Sequence, residues 1–452
     1  MLGKTAAVPF ITVFATPRVS EQDEQRIIAG LLAVRNDPQL LVEMESRDGF
    51  VKMPAATTQP GNSPPVGWTD WRGPHRDGIS PCVPDRLPDR AKFLWRHPLT
   101  GHSPSGVAAT TRFVVVADKD AAGKNDIWRR LEADSGRQVW SLEYQADKEM
   151  DYSNSPRANP VIHEGLVYLL GAMGDLHCVR LASGKVVWSM NLPIDFATDL
   201  PTWGTCSAPL IVDDMLIVNP GAKDASLVAL DRLTGDVIWK SPGRAAAYAS
   251  LICMPVGDGR QIVGFDATSL CGWDVRTGKR LWEVLPEEEG DFNVPTPLNV
   301  GGRVMVGTEN NGARLFAFDA TGKAKLPPTT NPDLAPDMTS PVAVNGLIFG
   351  YDYGKLTCLD AGDLSTRWTG RDRALNDYVS LIGSPSNGRL LISTISGELL
   401  LIKASADKFE VVSRLKAFDG EPDVWSHPAL VGNRLYIRSK NEIVCLLLDE
   451  RN

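Results

Sequence analysis

Hydrophobic and polar residues alternate along this chain in short runs that recur at a regular interval. Leu166, Tyr168 and Leu170 are apolar at every second position, and Leu435 and Ile437 repeat that spacing near the other end of the chain. A period of two places alternate side chains on opposite faces of a β-strand. Turns that contain glycine separate the runs, so the pattern predicts consecutive antiparallel strands joined by hairpins.

One phrase closes most of these repeats: a turn of Asp, Ser or Thr with Gly, followed by a tryptophan. Clear copies stand at 131–140, 179–188, 230–239, 273–282 and 359–368. In the first four copies Gly lies four residues before Trp, which favours a turn that needs positive φ. The closing positions recur every 42 to 51 residues, at Trp95, Trp140, Trp188, Trp239, Trp282, Leu326, Trp368 and Val411.

Eight closing positions imply eight units, each long enough for four short strands. Such a unit cannot bury its own apolar face, and repeats of this length do so by stacking around an axis. The sequence therefore predicts an all-β, eight-bladed β-propeller of four-stranded blades. The tryptophan belongs on the outer strand, where its ring can cover the joint with the next blade.

The two ends of the repeat region are predicted to meet. The last unit, which begins near Val424, stops without an outer strand, whereas the strand-like segment around Trp95 precedes the first complete unit. Pairing them closes the ring and removes an exposed sheet edge. Residues 67–452 are thus assigned to the propeller. Residues 1–66 are assigned to an extension with a helix capped by Ser20, a second short helix that starts at Asp37-Pro38, and a linker from Met53 to Val66.

Composition and charge narrow the classes of partner. The net charge is −8, and Lys and Arg form no run of the kind that binds nucleic acid. The apolar stretch from Thr5 to Pro17 is too short to span a membrane and resembles a secretory signal only weakly.

The seven cysteines are scattered, and Cys178, Cys358 and Cys445 occupy matching third-strand positions, which predicts buried thiols rather than disulfides.

The repeat resembles a known family. The phrase DxxTGxxxW, at 231–239 and 274–282, is similar to the tryptophan-docking repeat of quinoprotein-like eight-bladed propellers, over about residues 68–450. The opening Asp70-Trp71-Arg72-Gly73-Pro74 resembles the WRGP-type start of a bacterial subgroup named for pyrroloquinoline quinone (PQQ) repeats. The resemblance implies a periplasmic or otherwise exported protein, while the weak signal leaves a cytoplasmic location open.

This fold carries both enzymes and noncatalytic proteins, so the resemblance alone does not choose a function. It includes PQQ-dependent alcohol dehydrogenases and the lipoprotein of the outer-membrane β-barrel assembly machinery. The dehydrogenases hold the quinone on the propeller axis with a calcium or lanthanide ion, an Asp base, an Arg, a Trp floor and, in many members, an adjacent Cys-Cys disulfide. Here no two cysteines are adjacent, and no segment matches a cation-site motif.

The leading hypothesis is therefore a noncatalytic binding or scaffolding propeller of the bacterial envelope, with a protein or small molecule bound at the propeller face. The alternative is a divergent PQQ-dependent alcohol or sugar dehydrogenase that uses calcium. A ligand site is expected where the chain leads into each innermost strand, because these segments converge on the channel. The same residues are also suited to cap turns or plug the channel.

Each candidate has a stated chemistry. In the enzyme alternative the base is Asp291 or Asp337, and Asp291 with Asn293 offers oxygen atoms to a cation. Arg157 suits a carboxylate or quinone, and Trp203 suits a flat ligand. The candidate cofactor-binding residues are His102, Arg157, Trp203, Tyr248, Asn293, Trp425 and His427.

Overall fold

The computed structural model describes residues 67–449 and, nearer the N-terminus, residues 26–27, 30–31, 33–36 and 39. The chain divides into two units, Met1–Ser63 and Pro64–Asn452. In the first unit residues 26–27, 30–31 and 33 are helical, and a 3₁₀ turn spans Val34–Asn36. The predicted Ser20 cap, the predicted start of a second helix at Asp37-Pro38 and the linker at 53–66 lie outside the described residues.

The second unit contains eight antiparallel sheets, which confirms the predicted eight-bladed propeller. Two strands precede the first complete blade: β1 (Gly67–Trp68) and β2 (Lys92–Pro98). Blade 1 holds β3–β6, at Ala108–Thr110, Phe113–Lys119, Asn125–Glu132 and Gln138–Gln145. Blade 2 holds β7–β10, at Val161–His163, Leu166–Leu170, Asp175–Arg180 and Val186–Asn191, and is followed by the helical turn α1 (Leu192–Asp195). Blade 3 holds β11–β14, at Leu210–Val212, Met215–Val218, Leu227–Asp231 and Val237–Ser241.

The remaining blades follow the same order from inner to outer strand. Blade 4 holds β15–β18, at Ile252–Val256, Gly259–Phe265, Leu270–Asp274 and Arg280–Val284. Blade 5 holds β19–β22, at Leu298–Val300, Arg303–Thr308, Gly312–Phe316 and Thr329–Asn331. Blade 6 holds β23–β26, at Val342–Val344, Leu347–Asp352, Lys355–Asp360 and Thr366–Gly370. Blade 7 holds β27–β30, at Val379–Ser384, Arg389–Thr394, Glu398–Lys403 and Val411–Lys416, and blade 8 adds β31–β33, at Ala429–Val431, Arg434–Arg438 and Glu442–Leu447.

The ring closes as the sequence predicts. Strand β2 pairs antiparallel with β33, with Trp95 opposite Cys445, and so supplies the outer strand of blade 8. The last blade thus combines chain segments from both ends of the repeat region. This pairing covers the edge of β33 that would otherwise be exposed.

The apolar core lies between neighbouring blades. One cluster combines Met254 and Phe265 of blade 4 with Val304 and Phe316 of blade 5, and the other clusters join neighbouring blades in the same way. All seven cysteines are free, and Cys178, Cys358 and Cys445 are buried in β9, β25 and β33. Within the described residues, no helix is long and apolar enough to cross a membrane.

Repeat tryptophans on the outer strands contact the following blade. The indole N–H of Trp239 donates to the carbonyl of Val275, 3.2 Å away in the following blade, and Trp140 contacts Leu181 in the same way at 2.9 Å. The ring of Trp239 lies directly over Gly278, where a Cβ atom would overlap it. In the first four phrases the glycine therefore receives the tryptophan of the preceding blade, which explains why the two recur together.

Candidate functional site at the channel mouth

Residues 67–80, here called the axial segment, run through the interior of the ring. Strand β1 adds to the inner edge of blade 1, and the Thr69 carbonyl accepts from the amide of Ile162 in blade 2 at 2.8 Å. Gly78 and Ser80 exchange backbone hydrogen bonds with Gly383 in blade 7. The segment is therefore tied to inner strands on different sides of the channel.

Two arginines and a tryptophan of the axial segment reach blades 3 to 6. Trp71 Nε1 donates to Thr296 Oγ1 of blade 5 at 2.8 Å. The guanidinium of Arg72 donates to the carbonyl of Pro341, ahead of blade 6. Arg76 donates to carbonyls at the start of blades 3 and 4, namely Ala208 (3.2 Å), Pro209 and Leu251 (2.9 Å).

Both arginines are almost fully buried, with 1% of Arg72 and 3% of Arg76 exposed. A buried guanidinium is stable only when its donors are satisfied. Carbonyls that precede the innermost strands accept from both arginines, and the carboxylate of Asp70 also accepts from Nε and Nη2 of Arg76, at 3.0 and 2.8 Å. Sequence analysis identified this tract only as a resemblance to a family opening and missed its position inside the ring. Its glycines and its lack of alternation were the available signal that it is not a blade strand.

His427 belongs to the packing around the axial segment. Its ring stacks on Trp68 with centroids 5.8 Å apart and meets the edge of Trp71 at 5.5 Å. Only 4% of the residue is exposed, and Nδ1 lies 2.9 Å from the Pro428 carbonyl. Burial lowers the pKa of His427 to about 4, so the imidazole is neutral at pH 7.

The loops that lead into the innermost strands form what we call the channel mouth. Near blade 8, His102 Nε2 lies 3.7 Å from Asp423 Oδ2, and the other oxygen of Asp423 accepts from Trp425 Nε1 at 2.7 Å. Trp425 stacks on Tyr378, with centroids 5.7 Å apart. Burial and the charge of Arg438 lower the pKa of His102, and Asp423 opposes them. This arrangement brings together two of the candidates, His102 and Trp425.

Arg157 lies in a strained loop before blade 2. Its Nη2 donates to the carbonyls of Asp151 (2.8 Å) and Ser153 (2.6 Å), while Nε is buried and has no hydrogen-bond partner among the described residues. Tyr152 and Ser153 both have positive φ, 64° and 114°. Burial raises the pKa of Cys206 to about 12, and the positive charge of Arg157 opposes that rise, which places the guanidinium near the next blade.

Aromatic rings cluster beside Arg157. The ring centroid of Trp203 lies 4.9 Å from that of Tyr248, 4.6 Å from Phe292 and 6.4 Å from Tyr152. Tyr248 and Phe292 also line a cleft of about 390 Å³. The cluster contains two of the candidates, Trp203 and Tyr248, together with Tyr152, which the sequence also places at a strand entry beside Arg157, and Phe292, which sequence analysis missed. The neighbouring rings meet Trp203 edge-on or at a tilt, and Trp203 is half-buried.

The candidate cation ligands are engaged in the structure of their own loops. Asp291 accepts from the amide of Asn310 at 2.8 Å and from the side chain of Asn311 at 2.7 Å. Asn293 is buried with φ 53°, and its side-chain N–H groups face the carbonyls of Asp266 and Ala267 at 3.4 and 3.2 Å. Across residues 67–449, no three His, Cys, Asp or Glu side chains are grouped to hold a metal ion. As placed, both oxygens of Asp291 already accept hydrogen bonds, so Asp291 and Asn293 do not form a ready-made cation site.

Asp337, the other candidate base, lies near an acidic residue that sequence analysis missed. Its Oδ1 accepts from the amide of Met338 at 2.7 Å, which is a turn-capping contact. Burial raises the pKa of Glu309, and the charges of Asp291 and Asp337 raise it further. The side of the mouth near blades 5 and 6 is thus acidic, whereas Arg157 lies in the loop before blade 2.

Comparison with known proteins finds similar proteins in both classes that share this fold, the dehydrogenases and the outer-membrane assembly factors. The family model described as outer membrane protein assembly factor BamB matches residues 123–370. A quinone-dependent 1-butanol dehydrogenase of Thauera butanivorans is 26% identical over 170 residues, which are 34% of this chain and 26% of that protein. BamB of Salmonella typhimurium is 23% identical over 292 residues, covering 58% of this chain and 69% of that protein.

A solved structure extends the likeness in fold. Quinohemoprotein alcohol dehydrogenase ADHIIG of Pseudomonas putida HK5 aligns with a TM-score of 0.61 at 12% identity, over 86% of this chain and 81% of that one. The match to the butanol dehydrogenase spans only about a quarter of that relative's length. The matched family region, by contrast, extends from the first blade to the sixth and covers more than half of the chain. This protein therefore belongs to the PQQ_2 family of quinoprotein-like propellers, the family described as outer membrane protein assembly factor BamB.

Proposed function

We propose that this protein is a noncatalytic binding or scaffolding propeller of the bacterial cell envelope. The observation that carries this proposal is the axial segment. The side chains of Trp71, Arg72 and Arg76 occupy the interior of the ring and donate to inner strands of four blades. A ligand on the axis would have to share that space with buried, hydrogen-bonded groups.

The contacts of the enzyme candidates support the same proposal. Both oxygens of Asp291 accept hydrogen bonds from its own loop region, and one oxygen of Asp337 caps a turn, so each carboxylate already has a structural role. Trp203 already contacts the rings of Tyr248 and Phe292. The channel mouth retains exposed rings and charges, which suit recognition of a protein segment or a small molecule.

An envelope location is part of the proposal and is supported by the relatives. One of them is named an outer membrane protein assembly factor. We expect fractionation of cells that produce the full chain to recover it outside the cytoplasm. Recovery only in the cytoplasmic fraction would contradict this part of the proposal.

The proposed function predicts that PQQ neither stabilises the protein nor supports turnover. Thermal unfolding is measured with PQQ, with and without Ca²⁺, since any ligand that binds the folded state raises Tm. A dye-linked assay then tests alcohols and sugars. We expect no Tm shift and no activity. Quinone-dependent turnover that is lost in Arg157→Ala and kept in the control Arg276→Ala, a change in an exposed turn of blade 4, would refute the noncatalytic function.

A divergent PQQ-dependent alcohol or sugar dehydrogenase remains the second candidate, because the sequence matches a quinone-dependent dehydrogenase over 170 residues. In that function Arg157 would contact the quinone and Asp291 or Asp337 would act as the base. The residues would first have to rearrange, since Asp291 is engaged with Asn310 and Asn311. The same assay separates the two functions.

A further inference from the structure

We propose that the channel mouth binds a carboxylate that carries a ring-sized apolar group, through Arg157 and the aromatic cluster of Tyr152, Trp203, Tyr248 and Phe292. The inference rests on the noncatalytic binding function proposed above and specifies the class of ligand. A free carboxylic acid and the C-terminus of a peptide share this chemistry.

Arg157 leaves most of its donors unused. Only Nη2 makes hydrogen bonds, both to backbone carbonyls of its own loop, and Nε is buried without a partner in the described part of the chain. No Asp or Glu within residues 67–449 forms an ion pair with this guanidinium. Nη1, which makes no hydrogen bond in the described chain, is left to donate to a carboxylate in a charge-assisted contact.

Buried positive charge lies on this side of the channel at Arg438. This residue of blade 8 is 1% exposed, and its hydrogen bonds within the described chain run only to backbone carbonyls, those of Ala117 in blade 1, Gly101 and Ser439. It forms no ion pair with a carboxylate in the described chain. Arg438, Arg157 and Lys440 all disfavour the charged form of His102, while Asp423 favours it. Positive charge held in a concave, poorly solvated mouth attracts anions, even in a chain with a net charge of −8.

The aromatic cluster supplies the apolar surface beside that charge. Tyr152, five residues before Arg157 in the same loop, is 81% exposed, and its ring lies 6.4 Å from that of Trp203. Phe292 is 53% exposed and contacts the other edge of the cluster. A ring-sized group packed here would cover exposed aromatic surface while its carboxylate reaches Arg157. The carboxylates of Asp337 and Glu309, at the acidic side of the mouth, disfavour a ligand orientation in which its carboxylate points towards them.

Calorimetric titration of the full chain with N-acetyl-L-phenylalanine and with its amide tests the inference. The two probes differ only in the carboxylate, and we expect the acid to bind about tenfold more tightly, the effect of one charge-assisted contact. Arg157→Gln should equalise the two affinities, whereas Arg157→Lys should restore part of the difference. Trp203→Leu should weaken both probes, and the control Arg276→Gln should change neither.

Equal binding of acid and amide to the unmodified protein overturns the inference, and so does a preference that survives Arg157→Gln. Continued binding of the amide shows that a variant is folded. A pentapeptide ending in phenylalanine identifies the source: tighter binding than the small acid supports a peptide C-terminus, and weaker binding supports a free acid. Turnover with PQQ would refute the noncatalytic function itself, whereas loss of the acid preference refutes only this ligand class.

Discussion

At the scale of the residue, a repeat glycine has two separate tasks. Gly278 has φ 68°, a conformation in which other residues are strained, and it also lies beneath the ring of Trp239. Gly123 has nearly the same φ, 69°, but nothing lies within 4 Å of the position of its missing Cβ. Comparing the two positions therefore separates backbone strain from tryptophan docking.

We predict that Gly278→Ala destabilises the propeller more than Gly123→Ala does. Both changes carry the cost of positive φ, about 1–2 kcal/mol. Gly278→Ala adds overpacking against Trp239, about 1–3 kcal/mol more. Urea unfolding of both variants measures the difference in the free energy of unfolding. Equal losses would show that the indole moves aside at no cost and that docking does not require glycine.

A buried histidine makes stability depend on pH. The pKa of His427 falls to about 4 in the folded chain, below the ordinary value of 6.5. The unfolded chain therefore takes up a proton first on acidification, and the folded state loses stability as the pH falls from 6.5 towards 4. The full effect is on the order of 3 kcal/mol. Above pH 6.5 this contribution is fully present.

We predict that His427→Phe, which keeps a ring next to Trp68 but cannot take up a proton, flattens the pH dependence. The free energy of unfolding is measured for both proteins at pH 7.5, 6.5, 5.5 and 4.5. The unmodified protein should lose more stability than the variant below pH 6.5, while other titrating groups cancel in the comparison. Parallel curves would mean that His427 is protonated inside the fold without cost.

At the scale of the element, the degenerate repeats are compensated by other residues. Blade 5 ends its phrase at Leu326 rather than Trp, and blade 6 accordingly has Leu364 where the docking glycine would stand. Leu364 keeps the positive φ, 61°, and is fully buried. Arg303 replaces the missing indole donor, because its guanidinium donates to the carbonyls of Ala361 (2.5 Å) and Gly362 (2.8 Å).

Regular elements were predictable from the sequence because their signals are local. Alternation and the turn glycines lie within a few residues of one another, and the missing outer strand of blade 8 follows from counting repeats. The contacts of Arg76 with Pro209 and Leu251 join residues more than 130 positions apart and leave no periodic trace. The positions of the mouth residues were predictable, because they follow from local strand signals. The packing of Phe292 against Trp203 joins distant parts of the chain and was not predictable.

At the scale of the whole molecule, two separate segments hold the ring together. Strand β2 closes the circumference by pairing with β33, and the axial segment joins inner strands through the interior. Pairing with β2 gives the backbone groups at the edge of β33 their hydrogen-bond partners. The axial segment donates hydrogen bonds to carbonyls at the starts of the blades and buries Trp68. Loss of β2 exposes the edge of β33 to pairing with other molecules. Loss of the axial segment leaves buried carbonyls without hydrogen-bond donors.

Three truncations separate these two contributions. Removal of residues 1–66 should leave a folded, monomeric ring, since β1, the axial segment and β2 all remain. Removal of 1–80 should keep the ring closed but lower its Tm, because the donors of Arg72 and Arg76 are lost. Removal of 1–99 also takes away β2, and the exposed edge of β33 should cause association, seen by light scattering. If the protein without residues 1–80 melts at the same temperature as the protein without residues 1–66, the axial segment does not stabilise the ring. If the protein without residues 1–99 stays monomeric, pairing with β2 does not protect the edge of β33.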